Sequence, residues 1–159
     1  MPSSDPEQSN EMLSGKDWAV GILSGTPYDI DASPQRLESI TVRHGDVLDA
    51  LAFSYRDANN QSHTTGRWGG SGGDATTIQL GDSEYVTEVQ GTYGWYYGYG
   101  GISKLTLVTN VTSYGPFGHV TLDASTPFSV PVQNSSIVAF FASTGSLYVS
   151  SIGVYARPL

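Results

Sequence analysis

Three seven-residue stretches of this chain line up with one another without gaps: Val47-Leu48-Asp49-Ala50-Leu51-Ala52-Phe53, Gly101-Ile102-Ser103-Lys104-Leu105-Thr106-Leu107 and Tyr148-Val149-Ser150-Ser151-Ile152-Gly153-Val154. Leu51, Leu105 and Ile152 share one column. Phe53, Leu107 and Val154 share the next inward position two residues on, as a strand with one buried face requires. A glycine-bearing turn precedes each copy, at Gly45, Gly100–Gly101 and Gly145. Glycine-aromatic runs follow the first two copies, in Trp68-Gly69-Gly70-Ser71-Gly72-Gly73 and Tyr114-Gly115-Pro116-Phe117-Gly118. The third copy has to borrow its run, Gly21-Ile22-Leu23-Ser24-Gly25, from the start of the domain. Three similar sheets, closed by bringing the two ends of the chain together, is the simplest architecture with that circular pattern.

The remaining sequence agrees with an all-β chain. Runs rich in Val, Ile, Leu, Thr and Tyr alternate with Gly, Pro, Asn and Asp clusters, and no stretch sustains an amphipathic helical pattern for three turns. Strands are predicted at 37–43, 47–55, 62–67, 76–80, 85–93, 102–109, 128–132, 137–143 and 147–156. Residues 1–16 are polar and without periodicity and read as a tail or linker, leaving 17–159 as one domain. A net charge of −8 leaves no basic surface for nucleic acid. The absence of cysteine excludes disulfides, thiolate metal sites and cysteine nucleophiles. No apolar run is long enough to span a bilayer, and the N-terminus has neither a basic start nor an apolar core, so a cytoplasmic or nucleocytoplasmic address is expected.

Taken together, Gly45-Asp46-Val47-Leu48-Asp49-Ala50, the two glycine-aromatic runs, Thr126-Pro127-Phe128-Ser129-Val130-Pro131-Val132 and Ile152-Gly153-Val154-Tyr155 resemble the jacalin-related lectins, particularly the mannose-binding type of monocot plants. The resemblance covers about Trp18 to Pro158. It implies a β-prism I of three four-stranded Greek-key sheets with pseudo-threefold symmetry. It also implies carbohydrate binding by loops at one end, with no metal, cofactor or catalytic step, and a role in plant stress or defence. The implied partners are mannose- or glucose-type glycans or glycoproteins. A single weak site would gain avidity from a homo-oligomer or from fusion to another module.

In the family a sugar site combines a Gly-x-x-x-Asp turn with a neighbouring glycine-rich loop. An ionised carboxylate accepts two hydroxyl hydrogen bonds from a hexose, and backbone N–H groups donate to the sugar oxygens. By this resemblance Asp49 would hold two hydroxyls, while Asp46, Val47 and Leu48 of the turn beginning at Gly45 would offer amides. Gly69 and Gly70 form the partner loop, with Gly70 a further main-chain donor. The usual primary site of the family falls at Gly145-Ser146-Leu147-Tyr148-Val149, beside Gly21 and Gly25, and there the acid is missing. Val149 takes its place counting from Gly145, and Ser150 counting back from Ile152, with one extra residue between the anchors. Losing a charged hydrogen bond costs about 1.5–3 kcal/mol. A millimolar monosaccharide has only about 4 kcal/mol of binding free energy, so this degenerate second site is expected to be dead or much weakened.

Other readings of these residues exist. Asp46 and Asp49 could simply satisfy backbone N–H groups of their own turn. The Trp95-Tyr96-Tyr97-Gly98-Tyr99 run suits sugar stacking, a protein contact or the covering of a sheet. Trp68 reads as core or turn packing. Two aspartates in one short turn do not flank a cleft as a glycosidase pair would, and His44, His63 and His119 lack metal-ligand spacing. An adaptor module of the same fold that has lost sugar binding is the rival function.

Overall fold

A computed structural model of the chain describes residues 15–16 and 19–159. The described residues form thirteen strands and no helix. The first sheet is built on the hairpin of β3 (Pro34–His44) and β4 (Leu48–Asp57). Short β5 (Ser62–Thr64) and β6 (Trp68–Gly69) both pair with β4, and β7 (Asp74–Gln79) returns to pair with β3. The second sheet repeats this path: β8 (Val86–Tyr96) and β9 (Tyr99–Thr109) form the hairpin, β10 (Ser113–Phe117) pairs with β9, and β11 (Asp123–Pro131) returns to β8. The third hairpin, β12 (Ser135–Thr144) and β13 (Val149–Pro158), takes its outer strands from the chain start: β1 (Val20–Gly21) on β13 and β2 (Thr26–Tyr28) on β12. Each sheet is thus a Greek key with the hairpin inside. The third is circularly permuted, as the missing third glycine run predicted. One pair, Ile137 with Val86, joins the second and third sheets into a continuous hydrogen-bonded network.

The repeat columns form the core. Leu51, Leu105, Ile152, Phe53, Leu107 and Val154 are all buried. The ladders confirm their equivalence, since Leu51 pairs with Trp68, Leu105 with Phe117 and Ile152 with Val20. Aromatic edges close the packing: Phe53 meets Trp68 and Phe140 edge-on, each at 5.3 Å between centroids, and Tyr28 stacks on Trp68 at 5.7 Å. Trp68 is therefore a core residue.

Several expectations needed correction. The short outer strands β1, β2, β6 and β10 are not among the strands expected from the sequence, because two to five residues that pair with a distant strand leave no local pattern. The β8–β9 hairpin runs on past Tyr93 to a two-residue turn at Tyr97-Gly98, both with positive φ (49° and 82°). Gly15 and Lys16, assigned to the tail, lie against β13: the Ala156 amide donates to the Gly15 carbonyl at 2.8 Å, and Lys16 Nζ bonds Asp29 at 2.8 Å. The rest of the expected tail, residues 1–14, and Trp18 lie outside the described residues.

Leu105 sits fully buried on the second sheet's inner strand. Leu105→Ala is expected to destabilise the fold by about 2–5 kcal/mol, read as a lower urea midpoint with an unchanged slope.

Candidate functional site

Where β3 returns as β4, the ladder pairs Arg43 with Ala50 and His44 with Leu48, so Asp49 is the extra residue of a bulge. A bulge turns the strand and re-aims a side chain. Leu48, Asp49 and Ala50 are consequently all buried, breaking the alternation a regular strand would show. The turn ahead of them is closed by the Gly45 amide donating to the Val47 carbonyl at 3.0 Å.

The loop after β6 lies on this carboxylate. The Gly70 amide donates to the Asp49 carbonyl at 3.0 Å. A Cβ on Gly72 would stand 2.9 Å from Asp49 Oδ2, and one on Gly73 2.7 Å from Oδ1, so only glycine lets the main chain come this close. Arg43 straps the loop in place: its guanidinium donates to the carbonyls of Ser71, Gly72 and Gly73 at 2.9–3.0 Å. Asp49 is left 7% exposed, and its Oδ1 is buried with no hydrogen-bond partner. Burial pushes its pKa above the ordinary aspartate value, while Arg43, the Gly45 amide and His44 pull it back.

Asp46 is exposed and differently engaged. Its Oδ2 accepts the Tyr96 hydroxyl at 2.5 Å, its Oδ1 lies 3.4 Å from His119 Nε2, and its carbonyl accepts the His119 and Val120 amides. The hydrogen bond to Asp46 holds the Tyr96 phenol protonated, its pKa pushed up to about 12. Among the described residues no backbone acceptor takes the Asp46 or Val47 amide. The Val47 and Leu48 side chains are core. Gly69 and Gly70 do sit beside Asp49, but the Gly70 amide is spent on the Asp49 carbonyl, which corrects its expected role as a free donor. Arg43, Ser71, Gly72, Gly73, Tyr96 and His119 complete the surroundings of the turn and went unassigned in the sequence. The glycine-rich run Gly69-Gly70-Ser71-Gly72-Gly73 was the local signal for the loop.

The equivalent positions of the other two sheets show what the Asp49 position becomes without its acid. Ile152 pairs with Val20 as Leu51 does with Trp68, and the Ile22 amide donates to the Ser150 carbonyl at 2.9 Å as Gly70 does to Asp49. Ser150 is thus the equivalent of Asp49, and Val149 is core. The Ser150 hydroxyl has the Ser24 and Ser143 carbonyls within reach of its single proton, at 2.9 and 3.0 Å. The turn before it is one residue longer, closed from the Gly145 amide to the Tyr148 carbonyl, with Ser146 and Leu147 exposed within it. Gly25 packs against the Thr144 carbonyl. In the second sheet the equivalent residue is Ser103, fully buried and donating to the Val120 carbonyl at 2.8 Å. Both serines donate into backbone carbonyls, and only the aspartate is a charged acceptor, with its Oδ1 unpartnered.

The jacalin-like lectin domain family matches residues 18–155. The chain belongs to that family. Horcolin of Hordeum vulgare is 34% identical over 139 residues, covering 87% of this chain and 93% of its own. A mannose-binding jacalin-related lectin from Ananas comosus superposes with a TM-score of 0.83 at 39% identity, over 92% of this chain and all of the other. Malaysian banana lectin gives 0.81 at 34% identity, over 91% and 98% of the two chains. As a member of this family the protein is a carbohydrate-binding lectin with a β-prism I fold.

Two consequences concern stability. Because folding raises the Asp49 pKa above 3.8, the cost of its charge is absent below the unfolded value and grows as pH rises through the folded one. Asp49→Asn is therefore expected to raise the urea midpoint at neutral pH, an advantage that shrinks as the solution is made acid. Gly73 has φ +71° and its missing Cβ faces the His44 carbonyl at 2.5 Å. Gly73→Ala is expected to cost more than about 1 kcal/mol in the same assay.

Proposed function

We propose that the chain binds a mannose- or glucose-type hexose at the Gly45–Asp49 turn and the strapped glycine loop beside it. The observation that carries this reading is the Asp49 carboxylate. It is the only acid among three equivalent positions, and it holds a buried oxygen without a donor. A carboxylate only accepts hydrogen bonds, and a sugar hydroxyl is a donor of the right kind for it. The Asp46 and Val47 amides supply donors to ring and hydroxyl oxygens, and the Tyr96–Asp46 bond steadies the turn that presents them. Recognition is reversible and involves no covalent step. The degenerate position at Ser150 contributes no acceptor of comparable strength, since a hydroxyl is uncharged where Asp49 carries a carboxylate. Likeness to the mannose-binding lectin from Ananas comosus supports the hexose class, and likeness to plant lectins supports a stress or defence setting.

Titration with methyl α-mannoside tests the assignment. Asp49→Ala is expected to weaken binding about 10- to 150-fold, the equivalent of one charged hydrogen bond, while Ser150→Ala leaves it unchanged. The opposite result would put the sugar in the other loop. A wild type that ignores every glycan would make the protein-interaction reading the right one. Only the ionised carboxylate accepts two hydroxyls, so affinity is expected to fall on acidification at a pH above that of an ordinary aspartate.

A further inference from the structure

Between Gly69 and Gly73 every residue but Ser71 is glycine, the residue that gives up most freedom on ordering. Ser71, Gly72 and Gly73 are exposed, and among the described residues no backbone hydrogen bond ties any of them to another part of the chain. What holds them is one side chain. Arg43 Nε donates to the Gly72 carbonyl at 3.0 Å, and Nη2 to the Ser71 and Gly73 carbonyls at 3.0 and 2.9 Å. A planar guanidinium presents its donors in a fixed fork, so a single residue orients three consecutive peptide planes.

This device accompanies the acid. Val42 pairs with Leu51 and Arg43 with Ala50, and the matching pairs of the third sheet are Ala142 with Ile152 and Ser143 with Ser151. Ser143 therefore stands where Arg43 would, and its hydroxyl meets those of Ser150 and Ser151. In the second sheet the residue opposite Ser103 is Thr92, which donates to the Ser103 carbonyl at 3.2 Å. Arginine and aspartate thus occur together, in one copy of the three.

The strap also shapes the side of the loop that meets Asp49. A trans peptide sets its N–H opposite its carbonyl. Drawing the Ser71 and Gly72 carbonyls to the guanidinium turns the Gly72 and Gly73 amides away from it, and no backbone acceptor among the described residues takes either. The same two glycines are those whose missing Cβ atoms face the Asp49 oxygens, at 2.9 and 2.7 Å. Of the charges around that carboxylate, Arg43 does most to favour the ionised form, His44 beside it acts in the same sense, and Asp46 in the turn opposes them. Tyr148, from the turn after β12, faces the carboxylate as a neutral phenol.

We propose that Arg43 is the positioning residue of the hexose site: it orders the glycine loop before a sugar arrives and supplies the positive charge that keeps Asp49 an acceptor. This deepens the function proposed above and rests on it. A loop already ordered in the free protein loses little freedom on binding, which strengthens affinity without any contact between Arg43 and the sugar.

Calorimetric titration of the whole protein with methyl α-mannoside, from neutral to acid pH, tests this. Arg43→Lys keeps the charge and loses the fork; it is expected to bind about tenfold more weakly while losing its binding at the same acid pH as the wild type. Arg43→Gln loses both. It is expected to bind at least as weakly and to lose its binding at a higher pH, because Asp49 without its cationic neighbour takes up a proton sooner on acidification. NMR order parameters of Gly72 and Gly73 in the free protein are expected to fall in both variants, and melting curves separate a freed loop from a lost fold. The inference falls if Arg43→Lys binds as tightly as the wild type, if the loop stays ordered in both variants, or if Arg43→Gln loses binding at the wild-type pH. Asp49→Ala is the control for the underlying site. If it spares methyl α-mannoside binding, the Asp49 reading itself falls; if it abolishes that binding while both Arg43 variants bind like the wild type, only the role of Arg43 does.

Discussion

Each of the three sheets has one apolar face, and none can bury it alone. Leu51 and Phe53, Leu105 and Leu107, and Ile152 and Val154 solve this by meeting around a common axis, where all six are buried. Everything functional depends on that closure. The inner hairpins place their turns at one end of the prism, so the loops that follow the outer strands converge there. Strands from the chain start complete the third sheet, which brings the Gly21–Gly25 loop beside the turn after β12.

Threefold packing repeats the backbone but not the chemistry at its tips. The same bulge-and-turn arrangement carries a carboxylate in the first sheet and serine hydroxyls in the other two. A short hydroxyl in that position reaches nearby carbonyls and becomes structural, as Ser103 and Ser150 do. A longer, acceptor-only carboxylate cannot use those carbonyls. It is left facing glycine backbone with one oxygen unmet. The cost of burying it raises its pKa, while its ionised oxygens are what would take hydroxyl donors. Stability and recognition therefore pull in opposite directions at Asp49.

Much of the site was legible from residue chemistry. The Gly45–Asp49 spacing, the glycine run from Gly69 and the lack of acid at the third copy are all visible without coordinates. The strap formed by Arg43 was not, because its three acceptors are main-chain carbonyls about which the sequence says nothing. The Tyr96–Asp46 bond joins residues 50 positions apart on different sheets. The Trp95–Tyr99 run stands out in the sequence as an aromatic cluster, yet nothing local shows that its Gly98 is the turn of an extended hairpin.

By itself the sequence determined the all-β class, the threefold repeat, the permuted third sheet and the single surviving acid. These follow from the period of apolar residues and from side-chain identity, both of which are local. Only the tertiary structure decided that Ser150 rather than Val149 stands where the acid would be, that the Gly70 amide is already spent, and that Arg43 lies within reach of three loop carbonyls. Those outcomes depend on ladder register, on where a bulge falls and on which loops meet after the ends of the chain come together. Such contacts join residues far apart in the chain, and no window of sequence contains them.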